Sequence, residues 1–168
     1  MTARPSAWRA IVRGGLVAGV MDIAAAFVVY GLLYGISPVR ILQSISSGLL
    51  GLPAYDGGPV TVVLGGLLHF SIMLVICAVY VLASRRLAFL TNRAVVSGVL
   101  YGIAVYLVMS FVVLPLSAYP HPVVHPISNH LISVAIQIVC VGLPIALVVS
   151  RSTRNAAPGE PGLTRAGA

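Results

Sequence analysis

Charged residues are scarce in this chain, and acidic ones are the scarcest. Only 8% of the 168 residues are charged, and Asp22 and Asp56 are the only acids before the tail. Together with 59% hydrophobic residues and a mean hydropathy of +1.05, this composition indicates an integral membrane protein. The two cysteines, Cys77 and Cys140, lie in apolar stretches without a motif spacing, so we interpret them as small buried hydrophobes.

No catalytic motif compensates for this lack of charge. The sequence has no nucleophile elbow, no phosphate-binding loop, no helical metalloprotease motif and no paired carboxylates. An enzyme would have to use Asp22 and His69 as its acid and base. We therefore do not expect an enzyme.

Four apolar stretches are long enough to cross a bilayer, which takes about 20 helical residues. Their continuous apolar character, without the alternation of barrel strands, predicts helices. We predict an all-α integral membrane protein, a four-transmembrane-helix bundle forming a single domain over residues 1–150, with a disordered tail over 151–168. The predicted helices cover residues 11–34, 59–83, 94–116 and 127–150.

All ten basic residues are arginines, and their positions indicate membrane topology and no binding of nucleic acid. They precede the first helix, fill the second connection and follow the fourth helix, whereas the two other connections contain only Arg40. The positive-inside rule then places both termini in the cytoplasm. The expected partner of this surface is the lipid bilayer, including its anionic headgroups.

The connection between the first two helices is long enough to contain a helix of its own. Ser37 and Pro38 form a helix start, and apolar residues then recur at spacings of three and four from Ile41 to Leu50. This pattern predicts a short amphipathic interfacial helix ended by Gly48 and Gly51. The alternative is a lid over a cavity within the bundle.

Asp22 is the most informative residue, because a charge near the bilayer centre costs on the order of 3 kcal/mol or more. At 1.5 Å per residue it lies roughly 14–16 Å from the cytoplasmic end of its helix. His69 and Gln137 fall at a similar depth on two other helices, and Ser110 on the third helix is a weaker member. We predict a buried polar site at the midplane, with Asp22 and His69 as its natural pair.

This polar layer has two main interpretations. It fixes the helix register through interhelical hydrogen bonds, as in a structural or accessory subunit, or it binds or passes a proton, an ion or a small molecule. The sequence names no cofactor. A haem held by His69 would need a second midplane histidine, and one chain does not supply it.

Three histidines near the third connection, His121, His125 and His130, invite a metal interpretation. Their spacing matches no zinc signature, and no cysteine or carboxylate is nearby in the sequence. Solvated or capping histidines at the membrane interface are the plainer interpretation.

Small residues also recur at helix-packing spacing. Gly15 with Gly19 and Gly98 with Gly102 each form a GxxxG motif, which predicts packing within the monomer or, alternatively, a homo-oligomer face. The pair Gly65-Gly66 beside His69 allows a neighbouring helix or ligand to come close. Pro144 is expected to kink the fourth helix.

Half of the chain resembles a known group of proteins. The similarity covers residues 65–151, and its clearest motif is the run Leu68-His69-Phe70-Ser71-Ile72, followed by Tyr80 and the pair Arg85-Arg86. The start of the third helix at Gly98 to Tyr101, its exit at Pro115-Leu116 and the start of the fourth helix at His130 are similar as well. This part resembles uncharacterised bacterial inner-membrane proteins of the YagU type. The resemblance implies the bacterial inner membrane as the location and assigns no activity or catalytic residue.

Overall fold

The computed structural model describes residues 7–120 and 127–154, and every regular element in those two ranges is helical. In chain order the α-helices are α1 (Ala7–Tyr34), α2 (Pro38–Leu50), α3 (Gly58–Ser84), α4 (Phe89–Asn92), α5 (Ala94–Val108), α6 (Leu114–Leu116), α7 (Ile127–Ile136) and α8 (Leu143–Arg154). A 3-10 turn at Leu52–Tyr55 follows α2, and π-helical segments at Met109–Val113 and Gln137–Gly142 join α5 to α6 and α7 to α8.

Four stretches are long and apolar enough to cross a membrane, which confirms the predicted fold class. They are α1, α3, the continuous run Ala94–Leu116, and the run His130–Thr153. The chain is therefore a multi-pass, all-α membrane protein with an additional amphipathic helix, α2, between its first two spans.

The helix ends differ from the prediction at both termini of the bundle. α1 begins at Ala7 and so includes Arg9 and Arg13, because long basic side chains can extend from a helix to the headgroups without ending it. α8 continues to Arg154, so residues 151–154 of the predicted disordered tail are helical. The rest of that predicted tail lies outside the described residues.

The two ends of the bundle differ in charge. We call the end that carries Arg9, Arg13, Arg151 and the connection between α3 and α5 the Arg-rich end, and the opposite end, which carries α2, the Arg-poor end. The side chains in the Arg-rich half pack tightly: Ala18, Cys77, Tyr80, Val141 and Ile145 are fully buried. The predicted burial of Cys77 and Cys140 is confirmed.

Glycines bring the helix backbones together in this half. Gly15 and Gly19 of α1 face α3, and Gly98 and Gly102 of α5 face the π-helical segment of the fourth span. At each of the four, an added Cβ would overlap a neighbouring helix of the same chain. These faces are thus occupied within the monomer, as the packing interpretation predicts, and the homo-oligomer alternative stays a prediction.

A buried tyrosine secures the turn between α3 and α5. The hydroxyl of Tyr80 donates to the carbonyl of Leu90 at 2.8 Å and lies 3.0 Å from Oγ of Ser97. The Oγ atom of Ser97 also lies 2.9 Å from the same Leu90 carbonyl oxygen. The short helix α4 is therefore tied to both neighbouring spans.

Replacing Tyr80 by phenylalanine tests this tie. We expect Tyr80→Phe to lower the free energy of unfolding by about 1 kcal/mol, the net value of a typical buried hydrogen bond. The measurement is an SDS titration of the purified protein in mixed micelles. Ser97→Ala should cost less in the Tyr80→Phe background than in wild type, and equal costs in both backgrounds would contradict the shared network.

α2 packs antiparallel along the Arg-poor half of α3. Ser46 Oγ donates to the Thr61 carbonyl. One helical turn away, the Leu42 carbonyl lies against Gly65. The predicted start is confirmed, since Ser37 caps the helix by accepting from the Arg40 amide at 3.3 Å. The helix passes through Gly48 and ends at Leu50, because Gly51 adopts a φ of +68°, which favours glycine.

Each π-helical segment ends two residues before a proline. Met109–Val113 precedes Pro115, and Gln137–Gly142 precedes Pro144. Proline has no N–H to donate to the carbonyl four residues earlier, so the helix must rearrange its bonding at that point. The predicted disturbance of the fourth span by Pro144 takes the form of this π-helical segment, a feature that is frequent at functional sites.

Candidate functional site

A cavity of about 660 Å³ lies inside the Arg-poor half of the bundle. α1, α2, α3, the two π-helical spans and the Arg-poor loops all contribute to its walls. Its middle is apolar, with walls that include Ile23, Ile41, Ile45, Ile72, Ile76 and Ile136. The half of the bundle with a tight core therefore adjoins a half with an internal chamber.

One face of each helix lines this cavity. α1 contributes Asp22, Ala26 and Tyr30 at a spacing of four residues, and the fourth span contributes His130, Ser133 and Gln137 at spacings of three and four. Residues at these spacings share one face of a helix. The chamber is therefore lined by regular helix faces.

All four residues predicted for the polar site reach this one cavity. Asp22, His69, Ser110 and Gln137 line it from α1, α3, the third span and the fourth span. Ser110 and Gln137 both belong to π-helical segments. The carboxylate of Asp22 is also near enough to His69 and to Cys140 for electrostatic interaction.

Asp22 and His69, the predicted pair, are close enough for electrostatic interaction but are not directly bonded to each other in the described residues. No ion pair joins them in the described part of the chain; His69 Nε2 lies 2.9 Å from the carbonyl oxygen of Gly19 instead. Because a carbonyl only accepts, Nε2 carries the proton and donates it. This nitrogen is thus occupied and cannot bind a metal or haem iron in the same arrangement.

The amide of Gln137 is the least satisfied group of the site. Its Oε1 atom is buried and has no hydrogen-bond partner in the part of the chain that the structure describes. A buried acceptor without a partner costs about 1–3 kcal/mol. This cost is a local instability that a donor within the cavity would remove.

The Arg-poor end of the cavity has a rim of arginine and tyrosines. The guanidinium carbon of Arg40 lies 3.9 Å from the centre of the Tyr55 ring, a cation–π arrangement. Tyr30 and Tyr119 complete the rim. Burial raises the pKa of the Tyr119 hydroxyl above its usual range, and the neighbouring Tyr55 and Tyr30 raise it further, so this hydroxyl is a neutral donor at physiological pH.

The predicted metal site cannot be assembled from the described residues. His121 and His125 lie outside them, and no group of three potential metal ligands occurs within them. His130 is on α7, as predicted, and its Nδ1 contacts the hydroxyl of Tyr106 at the wall of the cavity. His130 thus belongs to the chamber.

Sequence reasoning missed several cavity residues, among them Tyr106, Ser133 and the rim residue Arg40. A signal for two of them was available. Tyr106 lies four residues before Ser110, and Ser133 lies four residues before Gln137, so each shares a helix face with a residue already selected. Arg40 gave no such signal, because its place depends on how α2 docks.

Known proteins add nothing to this geometry. No protein family, curated protein or solved structure matches the chain. The resemblance to the YagU type stays a prediction, and the function has to be argued from the cavity itself.

Proposed function

We propose that this chain binds a small, largely apolar molecule inside the bundle, in the cavity next to Asp22 and Gln137. The cavity of about 660 Å³ has a size typical of small-molecule sites, which span roughly 300–1,000 Å³ and combine apolar walls with a few polar groups. A proton or a bare ion needs no chamber of this volume.

One observation carries the proposal: the four side chains of the predicted polar layer, Asp22, His69, Ser110 and Gln137, line the cavity, and no hydrogen bond joins them to one another in the described part of the chain. An accessory subunit, the alternative, would use this layer to hold helices together through hydrogen bonds. Among the described residues the layer contributes one interhelical bond, from His69 to Gly19, and leaves Gln137 Oε1 without a partner. This arrangement favours recognition of a ligand over fixing of the helix register.

We further propose a bacterial inner-membrane location with both termini in the cytoplasm, following the distribution of arginine. The Arg-poor rim of Arg40, Tyr55 and Tyr119 then lies on the outer side. The ligand reaches the site from that side or from the outer leaflet, since the tight core around Tyr80 and Ile145 closes the cytoplasmic half. Relationship to the YagU type is part of the same proposal.

Ala26→Phe is expected to abolish binding, because the new ring would occupy the cavity that Ala26 lines. The probe is N-phenyl-1-naphthylamine, a neutral apolar fluorophore, titrated into the purified protein in nanodiscs. Ala24→Phe is the matched control, since Ala24 is exposed on another face of the same helix. Wild type and Ala24→Phe should show saturable fluorescence that Ala26→Phe lacks.

Two results would overturn the proposal. One is that wild type shows only the linear partitioning of empty nanodiscs. The other is that Ala26→Phe saturates like wild type, which would place the probe outside the cavity.

A further inference from the structure

We propose that the cavity selects lipophilic cations, with Asp22 as the residue that binds the positive charge. This inference rests on the proposed function and names the class of its ligand: an apolar body that carries one delocalised or alkylated cationic centre. Three features of the described cavity residues support it, namely the acceptors Asp22 and Gln137, the position of Arg40, and the aromatic and thioether walls.

Two residues with hydrogen-bond acceptors, Asp22 and Gln137, lie at the end of the cavity farthest from the rim, which we call the deep end. Asp22 presents a carboxylate, and the buried Oε1 of Gln137 has no partner among the described residues. The Nε2–H of His69 is already used by the Gly19 carbonyl, so the amide NH2 of Gln137 is the donor that remains at this depth. A cation or a donor fits such a site, whereas an anion would be repelled by the carboxylate.

Asp22 forms no salt bridge in the described part of the chain, although His69 is near enough to interact with it electrostatically. Among the described residues, Arg40 is the only arginine that lines the cavity, and it lies at the opposite end, exposed and stacked on Tyr55. Water and salt screen an exposed charge far more than one inside an apolar chamber. Arg40 therefore does not neutralise Asp22, the one acidic side chain among the described residues that line the cavity.

The walls suit a bulky apolar cation. Tyr30 and Tyr106 present aromatic rings, which attract cations through their faces. Met73 and Met109 line the chamber too, and their flexible thioether side chains adapt to ligands of different shape. A cation here replaces part of its hydration shell with rings and a carboxylate.

The experiment uses two probes of nearly the same size and shape and of opposite charge, tetraphenylphosphonium and tetraphenylborate. Saturable binding of each is measured on the detergent-purified full chain. We expect wild type to bind the cation at least about tenfold more tightly than the anion. Asp22→Asn should weaken binding of the cation about tenfold and leave that of the neutral N-phenyl-1-naphthylamine within about twofold.

Two further variants keep the test decisive. Asp22→Glu retains the charge and should retain most of the preference for the cation. Asp56→Asn removes the same charge from an exposed turn at the Arg-poor end, and its binding of the cation should equal that of wild type.

Equal or tighter binding of tetraphenylborate by wild type would overturn the inference, as would no saturable binding of tetraphenylphosphonium. Unchanged binding of the cation by Asp22→Asn would overturn it as well. Should Asp22→Asn fail to fold, the comparison of the two probes on wild type decides. Saturable binding of the neutral probe together with failure of the cation would reject the charge preference and leave the proposed function standing.

Discussion

Gly65→Leu is expected to detach α2 from α3 and to lower the free energy of unfolding by about 3 kcal/mol, the upper part of the usual cost of overpacking. A Cβ at Gly65 would collide with the carbonyl of Leu42, which is backbone and cannot rotate away as a side chain does. Leu42 and Ser46 lie on the face of α2 that contacts α3, so the whole helix must move.

The neighbouring residue supplies the control for this prediction. A Cβ at Gly66 would meet no atom within 4 Å, so Gly66→Leu should be neutral or mildly stabilising. Both substitutions gain the same helix propensity, and the difference between them isolates the docking of α2. Equal unfolding free energies, measured by SDS titration, would show that α2 is not held at this contact.

Labelling with a membrane-impermeant maleimide reports where α2 lies. Ser46 is fully buried between α2 and α3, so Ser46→Cys should be unreactive on its own. It should become reactive when combined with Gly65→Leu and stay protected with Gly66→Leu. The native cysteines, Cys77 and Cys140, are buried and give little background.

The spans could be predicted from the sequence because apolar length alone identifies a helix that crosses a bilayer. The sequence also placed Asp22, His69 and Gln137 correctly on three different helices, since the depth of a residue follows from the rise per residue. Their common cavity was beyond this reasoning. Whether side chains at one depth touch or face a chamber depends on helix tilt and rotation, which packing sets.

The position of α2 shows the same limit. Its existence followed from the cap at Ser37 and the apolar spacing, and the pair Gly65-Gly66 indicated that something comes close to α3. The two glycines did not reveal that α2 is the helix that packs against α3. Nor did they reveal that α2 contacts Gly65 and not Gly66. Two adjacent glycines point to different faces of a helix, and only the tertiary fold chooses between them.

The bond between His69 and the Gly19 carbonyl was not predicted, for a related reason. The prediction matched side chains with side chains, but backbone carbonyls are acceptors too. Gly19 lacks a side chain, which lets α3 come close enough for the ring of His69 to reach the carbonyl of that residue. A glycine motif beside a buried histidine thus indicates a bond to the backbone.

Gln137→Met is expected to raise the free energy of unfolding by about 2 kcal/mol and to weaken binding of a cationic ligand. Methionine is similar in volume to glutamine, so the change removes an unsatisfied buried acceptor while keeping the packing. The sign of this change in unfolding free energy separates ligand binding from the accessory role. If the polar layer held the helices together, the same substitution would break an interhelical hydrogen bond and destabilise the protein by about 0.6–2 kcal/mol.

Val139→Met is the control for this substitution, because Val139 lies in the same π-helical segment and is 54% exposed. We expect its unfolding free energy to stay within about 0.5 kcal/mol of that of wild type. A less stable Gln137→Met would favour the accessory interpretation. A more stable Gln137→Met that binds tetraphenylphosphonium less well would mean that Gln137 lowers the stability of the fold and contributes to ligand recognition. Such a trade-off between stability and activity is common at binding sites.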